Sequence, residues 1–232
     1  MLDAHIVKRR RSFTVDVRIR AAAGERLAIF GPSGAGKSSI LSCIAGLERP
    51  DAGEIRVGET RYFPPPLPLE RRFLAYLTQD DLLFPHLSVA ENVRFSLSAE
   101  AERKNRDWVA ELRQSLGLEA LWHAPAGRLS GGQARRAALA RMLARRPPLV
   151  LLDEPFAGLD RQVVRELIRL LDRWQEKLRF TLLLVGHEAE VVERLCPRVL
   201  ALEQGRVVQE GAFADLRAKP ATKVLAQLLA PL

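Results

Sequence analysis

The stretch Gly31, Pro32, Ser33, Gly34, Ala35, Gly36, Lys37, Ser38 fits the pattern G-x-x-x-x-G-K-[ST], and Ser39 continues it. Glycines at that spacing let successive backbone N–H groups curl around phosphate oxygens. A helix starting behind them adds partial positive charge. Lys37 is expected to reach β- and γ-phosphates, and Ser38 to offer a hydroxyl to Mg2+. Far along the chain, Leu149-Val150-Leu151-Leu152 runs into Asp153 and Glu154. An apolar strand would carry Asp153 to its carboxyl end, where open α/β sheets bind ligands. Asp153 is expected to hold Mg2+, mostly through its water shell, and Glu154 to polarise a water attacking the γ-phosphate. Adjacent carboxylates alone also occur in solvated loops; the glycine-rich segment upstream is what favours chemistry.

These residues need elements to position them. Arg26–Phe30 reads as a short buried strand, and Lys37 to Ala45 as a helix stopped by Gly46. Phe13, Val15, Val17 and Ile19 alternate with polar residues, as in a half-buried strand. Strands are also expected at Gly53–Val57, Phe73–Leu77, Leu149–Leu152 and Thr181–Val185, with a hairpin of Val199–Leu202 and Arg206–Gln209 about a Gln-Gly turn. The prolines from Phe63 to Pro68 suggest a stiff surface connection. Residues 88–128 look helical, with Val109, Leu112 and Leu116 on one face. Val163, Val164, Leu167, Leu170, Leu171, Trp174 and Leu178 form a helical stripe expected to be core. Buried strands alternating with helices predict an α/β fold with a mainly parallel central sheet.

Ser130, Gly131 and Gly132 open a predicted helix running towards Arg145. Exposed N–H groups and a hydroxyl there would make a second anion site. With Leu129-Ser130-Gly131-Gly132-Gln133 in view, the chain resembles the nucleotide-binding subunit of an ATP-binding-cassette (ABC) transporter over about residues 1–220. The phosphate loop, Gln79, Leu129–Gln133, Asp153–Glu154, Ala157-Gly158-Leu159-Asp160 and His187 stand in that family's order. The resemblance implies one cassette over 1–232 with a P-loop NTPase (RecA-like) core. An N-terminal antiparallel β subdomain and a helical signature subdomain, at about 84–145, would complete it. It implies a head-to-tail dimer sandwiching two ATP, in which Ser130, Gly131, Gly132 and Gln133 close on the partner's γ-phosphate and Asp160 reaches across. It further implies that Gln79 contacts Mg2+ and the attacking water, and that His187 contacts the γ-phosphate. His5, His86 and His123 lack such context.

The chain departs from the family pattern in places. Gly186 and Glu188 flank His187 where a hydroxyl residue and Asp are usual, and the freedom of Gly186 could loosen the imidazole. Arg135, followed by Arg136, stands where a second Gln is frequent. Upstream of the phosphate loop, where the family usually has a base-stacking aromatic, stand Ile6, Val7, Lys8, Arg9, Arg10 and Arg11. Phe13 is the nearest ring, and its alternation with Val15 favours the core; an arginine plane is the other candidate.

Leu83-Phe84-Pro85-His86-Leu87-Ser88-Val89-Ala90-Glu91-Asn92-Val93 is similar to the permease-facing surface of bacterial small-solute importers. Ser12–Val17, Ala28–Gly36 and Leu67–Arg72 resemble molybdate-importer ATPases. Those usually carry a C-terminal oxyanion sensor, for which the residues after about 215 are too few. Thiamine-importer ATPases are the alternative. The expected partners are a second cassette, two integral-membrane permease subunits and, indirectly, a periplasmic or lipid-anchored solute-binding protein. The expected place is the cytoplasmic face of the inner membrane.

Composition narrows the classes. The chain has 232 residues, 47% hydrophobic and 28% charged, so disorder is not expected. No apolar run approaches the ~20 residues of a membrane span, and the N-terminus has no apolar leader segment. Cys43 and Cys196 are expected as free thiols. The net charge of +8 fits nucleic acid, an anionic membrane or phosphate ligands. Its one dense run, Lys8–Arg11, reads as a solvated strand edge, so a nucleic-acid-processing ATPase is disfavoured. A non-hydrolytic regulatory cassette is disfavoured by the intact Lys37, Asp153, Glu154 and His187.

Overall fold

Residues apolar on both faces of a strand must lie between two covered layers. Three consecutive central strands meet that condition: β3 (Arg26–Phe30), β7 (Leu149–Asp153) and β8 (Thr181–Gly186). In the computed structural model, which describes residues 1–80 and 83–230, they form the centre of a six-stranded sheet. It is completed by β6 (Ala75–Leu77), β9 (Arg198–Glu203) and β10 (Arg206–Gly211), in the order β10-β9-β3-β8-β7-β6. All neighbours are parallel except β10, which returns antiparallel beside β9. The expected mainly parallel α/β core is therefore present, as is the expected hairpin.

The period of two sorts each strand's side chains onto two cores. Ala28, Phe30, Val150, Leu152, Leu182 and Leu184 point to one, which is closed by α2 (Val89–Arg94), α4 (Arg106–Ser115), α5 (Gly131–Leu143), α6 (Arg161–Leu178) and α7 (Ala189–Leu195). Leu27, Ile29, Leu149, Leu151, Leu183 and Val185 point to the other. There α1 (Lys37–Ala45) and a four-stranded antiparallel sheet cover them. That second sheet has the order β2-β1-β4-β5, from β1 (Leu2–Arg9), β2 (Thr14–Ala21), β4 (Ala52–Val57) and β5 (Thr60–Phe63). Helices α3 (Ala99–Lys104), α8 (Phe213–Ala218) and α9 (Lys223–Leu229) are short. Cys43 and Cys196 are buried free thiols, and burial pushes both above the ordinary thiol range.

Several sequence expectations shift. Residues 88–128, read as helical, hold three short helices separated by caps and turns. The side chains of Ser88 and Ser98 cap α2 and α3, and Gly117, with φ +62°, turns the chain after α4. Strand β6 starts at Ala75, because Phe73 is exposed beneath the Arg145 guanidinium. Strands β1 and β5 are additional. Phe13 is not in β2: it belongs to the turn Arg10–Phe13 that joins β1 to β2, closed by Arg10 N–H donating to Phe13 C=O at 2.8 Å.

Three buried side chains, Trp108, Trp174 and Arg72, tie the layers. Trp174 meets Trp108 edge to face, with centroids 6.1 Å apart, and Trp108 Nε1 donates to the Leu143 carbonyl at 2.8 Å, near the end of α5. Arg72 donates to the carbonyls of Ile44, Leu67, Cys43 and Tyr62 at 2.8–3.2 Å, capping α1 from the proline-rich connection. Trp174→Ala is expected to cost about 3–5 kcal/mol of unfolding free energy, measured by urea denaturation.

Candidate active site

The phosphate loop leaves the carboxyl end of β3 and enters α1. Gly31 is held against β9, where a Cβ would lie 2.1 Å from the Leu202 carbonyl oxygen. Gly36, with φ +101°, is the N-cap of α1 and supplies no side chain to its first N–H groups. The turn Gln204–Gly205 braces the loop: Gly205 N–H donates to the Ala35 carbonyl at 3.0 Å. The Lys37 ammonium is buried and folds back on the loop, donating to the carbonyls of Gly31 and Pro32 at 2.8 and 2.9 Å. Burial lowers its pKa, while the charges of Glu154 and Asp153 oppose that shift.

Asp153 closes β7 and is also buried. Ser38 Oγ donates to its Oδ1 and Tyr76 Oη to its Oδ2, both at 3.1 Å. Burial raises the Asp153 pKa; the two hydroxyl bonds act against it. Burial, then the Asp153 charge, push the Tyr76 phenol upward, so it stays a donor. A buried carboxylate and a serine hydroxyl form a hard oxygen donor set, which suits Mg2+ rather than a softer metal. Among the described residues no cluster of three or more His, Cys, Asp or Glu side chains is present.

Glu154 adopts φ +45°, a left-handed conformation that costs a non-glycine residue of order 1 kcal/mol. Its N–H donates to the Val185 carbonyl at 2.9 Å, fixing the bend to β8. That bend sets its carboxylate 3.2 Å from His187 Nδ1. Gly186 before His187 lies in β8, paired with Phe30, and a Cβ there would meet only Val192 at 3.8 Å. The strand ladder, not glycine freedom, sets the imidazole's approach.

Gln79 is exposed just beyond β6. Its backbone is held from α5: Arg135 Nη2 donates to the Gln79 carbonyl at 2.6 Å and Nη1 to the Thr78 carbonyl at 3.1 Å. At the start of α5, Ser130 and Gln133 form a capping box, with Gln133 Oε1 accepting from Ser130 N–H at 3.0 Å. Gly131 is exposed beside it, and a Cβ on Gly132 would meet Leu159 at 4.0 Å, so this helix start adjoins the 157–160 loop. Asp160 Oδ1 accepts from the N–H groups of Gln162 and Val163 at 3.0 Å, capping α6. Phe13 is half-buried, and its ring would lie 3.3 Å from a Cβ at Gly36. It rims an open hollow with Thr14, Pro32, Glu203, Gln204 and Arg206.

Lys37, Ser38, Asp153, Glu154 and His187 thus meet at one place, with Gln79 on a loop anchored to α5. Tyr76, Arg135 and the Gln204–Gly205 turn are positioning residues that sequence reasoning missed.

The ABC transporter family profile matches residues 15–157. The chain belongs to the ABC transporter family, as one of its ATP-binding ATPase cassettes. It is 42% identical to a molybdate/tungstate import ATP-binding protein of Thermococcus kodakarensis over 92% of its own length and 65% of that protein's. It is 39% identical to a thiamine import ATP-binding protein of Jannaschia, over 89% of this cassette and 90% of that protein. A molybdenum import ATP-binding protein of Rhodobacter capsulatus is 37% identical over 95% of the cassette and 61% of its own chain. The cassette therefore spans less than two thirds of the molybdate-type relatives. Among solved structures, an ATP-binding subunit of an ABC transporter superposes with TM-score 0.82 at 27% identity, over 98% of the cassette and 97% of that chain. The dimeric post-hydrolysis MJ0796 cassette bound to ADP and Pi superposes with TM-score 0.77 at 27% identity, over 92% and 99%.

Arg135→Gln keeps at most part of the two-carbonyl grip on the Gln79 loop. ATP affinity is expected to stay within about twofold while kcat falls about tenfold, the equivalent of one hydrogen bond to a charged donor. Steady-state hydrolysis alongside nucleotide binding separates the two.

Proposed function

We propose that this cassette, as a single unit over residues 1–232 with a helical subdomain at about 84–145, is the ATP-hydrolysing motor subunit of a membrane importer. Pro231 and Leu232 lie outside the described residues. The observation that carries the reading is the 3.2 Å Glu154–His187 contact beside the Lys37 ammonium and the Asp153 carboxylate. Backbone N–H groups of Gly31–Ser39 take the phosphates, and Lys37 exchanges its loop carbonyls for β- and γ-oxygens. Ser38, Asp153 and, from its loop, Gln79 would hold Mg2+, which would supply charge neutralisation for the phosphates. Glu154 orients the attacking water, and His187 contacts the γ-phosphate while holding the Glu154 carboxylate.

One chain carries two halves of a site rather than one whole site. Gly131 and Gly132 present helix-start N–H groups, flanked by the Ser130–Gln133 capping box, as a cover for a phosphate bound to a second copy. Asp160, on the loop adjoining that helix start, reaches the same junction. The dimeric state of the MJ0796 cassettes supports this arrangement. The exposed Phe95 ring, its centroid 4.4 Å from that of Phe84, offers an apolar surface suited to a permease coupling helix. No helix of the described residues is long and apolar enough to cross a membrane. In this reading the cassette works at the cytoplasmic face of the inner membrane on two integral-membrane permease subunits. A periplasmic or lipid-anchored solute-binding protein delivers the cargo. The relatives' names favour a molybdate or tungstate oxyanion; the Jannaschia relative, 90% covered, supports thiamine as the second reading.

Glu154→Gln is expected to bind ATP, run as a dimer by light scattering with ATP present, and hydrolyse at least about a hundredfold more slowly. Wild-type turnover in that variant would remove Glu154 from the chemistry. Phe95→Asp is expected to keep ATPase activity in the isolated cassette but lose co-purification with the permease pair.

A further inference from the structure

The tip of the β1–β2 hairpin reaches the phosphate loop on the flank opposite Asp153. Arg10 Nη2 donates to Ser39 Oγ and to both carboxylate oxygens of Glu48, at 2.8 and 2.7 Å. Ser38 and Ser39 are consecutive residues in the first turn of α1, about 100° apart around the helix. The Ser38 hydroxyl goes to Asp153; the Ser39 hydroxyl goes to Arg10. With the γ-phosphate end fixed by Asp153, Glu154 and His187, the nucleotide must leave towards the Ser39 flank. A hollow rimmed by Phe13, Thr14 and Pro32 opens beside the same hairpin tip.

We propose that Arg10 is a nucleotide-binding residue of this cassette that contacts the α-phosphate. The inference rests on Gly31–Ser39 cradling the β- and γ-phosphates of ATP, and adds a second cation at the other end of the triphosphate. Only Nη2 is used by Ser39 and Glu48, which leaves the Nη1 and Nε donors of the guanidinium for a phosphate oxygen. Glu48 fixes the guanidinium before the ligand arrives, so little side-chain freedom is lost on binding. The turn bond from Arg10 N–H to Phe13 C=O sets the approach of the backbone. Three of the four arginines and lysines in the run Lys8–Arg11 then have partners of their own: Lys8 with the Arg49 carbonyl and Asp51, Arg9 through its backbone with Asp51, and Arg10 with Ser39 and Glu48. Arg11 is exposed and serves as the charge control.

The test measures dissociation constants for ATP and for ADP by titration calorimetry in the whole chain, for the parent, Arg10→Met, Arg10→Lys and Arg11→Met. Because the α-phosphate is common to both nucleotides, Arg10→Met is expected to weaken ATP and ADP alike, by about tenfold. Arg10→Lys is expected to recover part of that loss, and Arg11→Met to bind as the parent. Equal affinities for the parent and Arg10→Met overturn the proposal. A loss confined to ATP overturns the α-phosphate assignment, and an equal loss in Arg11→Met reduces the effect to net charge. If Arg10→Met does not fold, Arg10→Lys decides: equal weakening of both nucleotides supports the contact, and parental affinity contradicts it. Failure of the parent itself to bind ATP would instead overturn the reading of the phosphate loop.

Discussion

A carboxylate buried at the end of an all-apolar strand is costly unless it is paired. Asp153 meets that constraint with two hydroxyls, from Ser38 on α1 and Tyr76 on β6, and with the Lys37 ammonium nearby. Those partners come from two separate elements, α1 and β6, so they assemble only when β3, which leads into α1, and β6 are both in register with β7 in the sheet. The sheet order places β7 beside both β6 and β8, which brings Tyr76 and His187 to the same edge. The site is thus a consequence of strand order as much as of residue type.

The next layer holds the loops that carry the remaining chemistry. Gly31 lets the phosphate loop pack on β9, and Gly205 lets the turn after β9 pack on Thr14 and Val15 while its N–H holds the Ala35 carbonyl. Arg135 joins the helix that begins at Ser130 to the Gln79 backbone, a direct link between the helical region and the loop after β6. Glu154 sits in a strained bend that aims it at His187. In the proposed dimer, where a second copy covers the γ-phosphate, such links would make closure of the partner and placement of Gln79 one event.

Contiguous motifs were legible in the sequence because their chemistry is local. Gly31–Ser38, Asp153–Glu154 and the apolar strands before them need only spacing and period to be read. Tyr76, Arg72 and Arg10 were not legible, because each acts on partners distant in the chain: Asp153, the end of α1, and Ser39 with Glu48. Arg135 was noticed only as a departure, and its function lies in two carbonyls more than fifty residues away. Strand β1 was missed because its charged end masks the alternation of Leu2, Ala4 and Ile6. The region 88–128 misled because its helical periodicity survives in pieces that Ser88, Ser98 and Gly117 interrupt.

The central claim is that each chain supplies half of two shared sites. Mixing two inactive variants tests it most directly: Lys37→Ala, which disables the phosphate loop, and Gly131→Asp, which places a carboxylate in the helix-start anion site. A mixed dimer contains one site built from the intact loop of one chain and the intact helix start of the other. ATP hydrolysis that appears only on mixing, with a maximum near equimolar ratio, is the expected result. Mixtures as inactive as the separate variants would contradict the account.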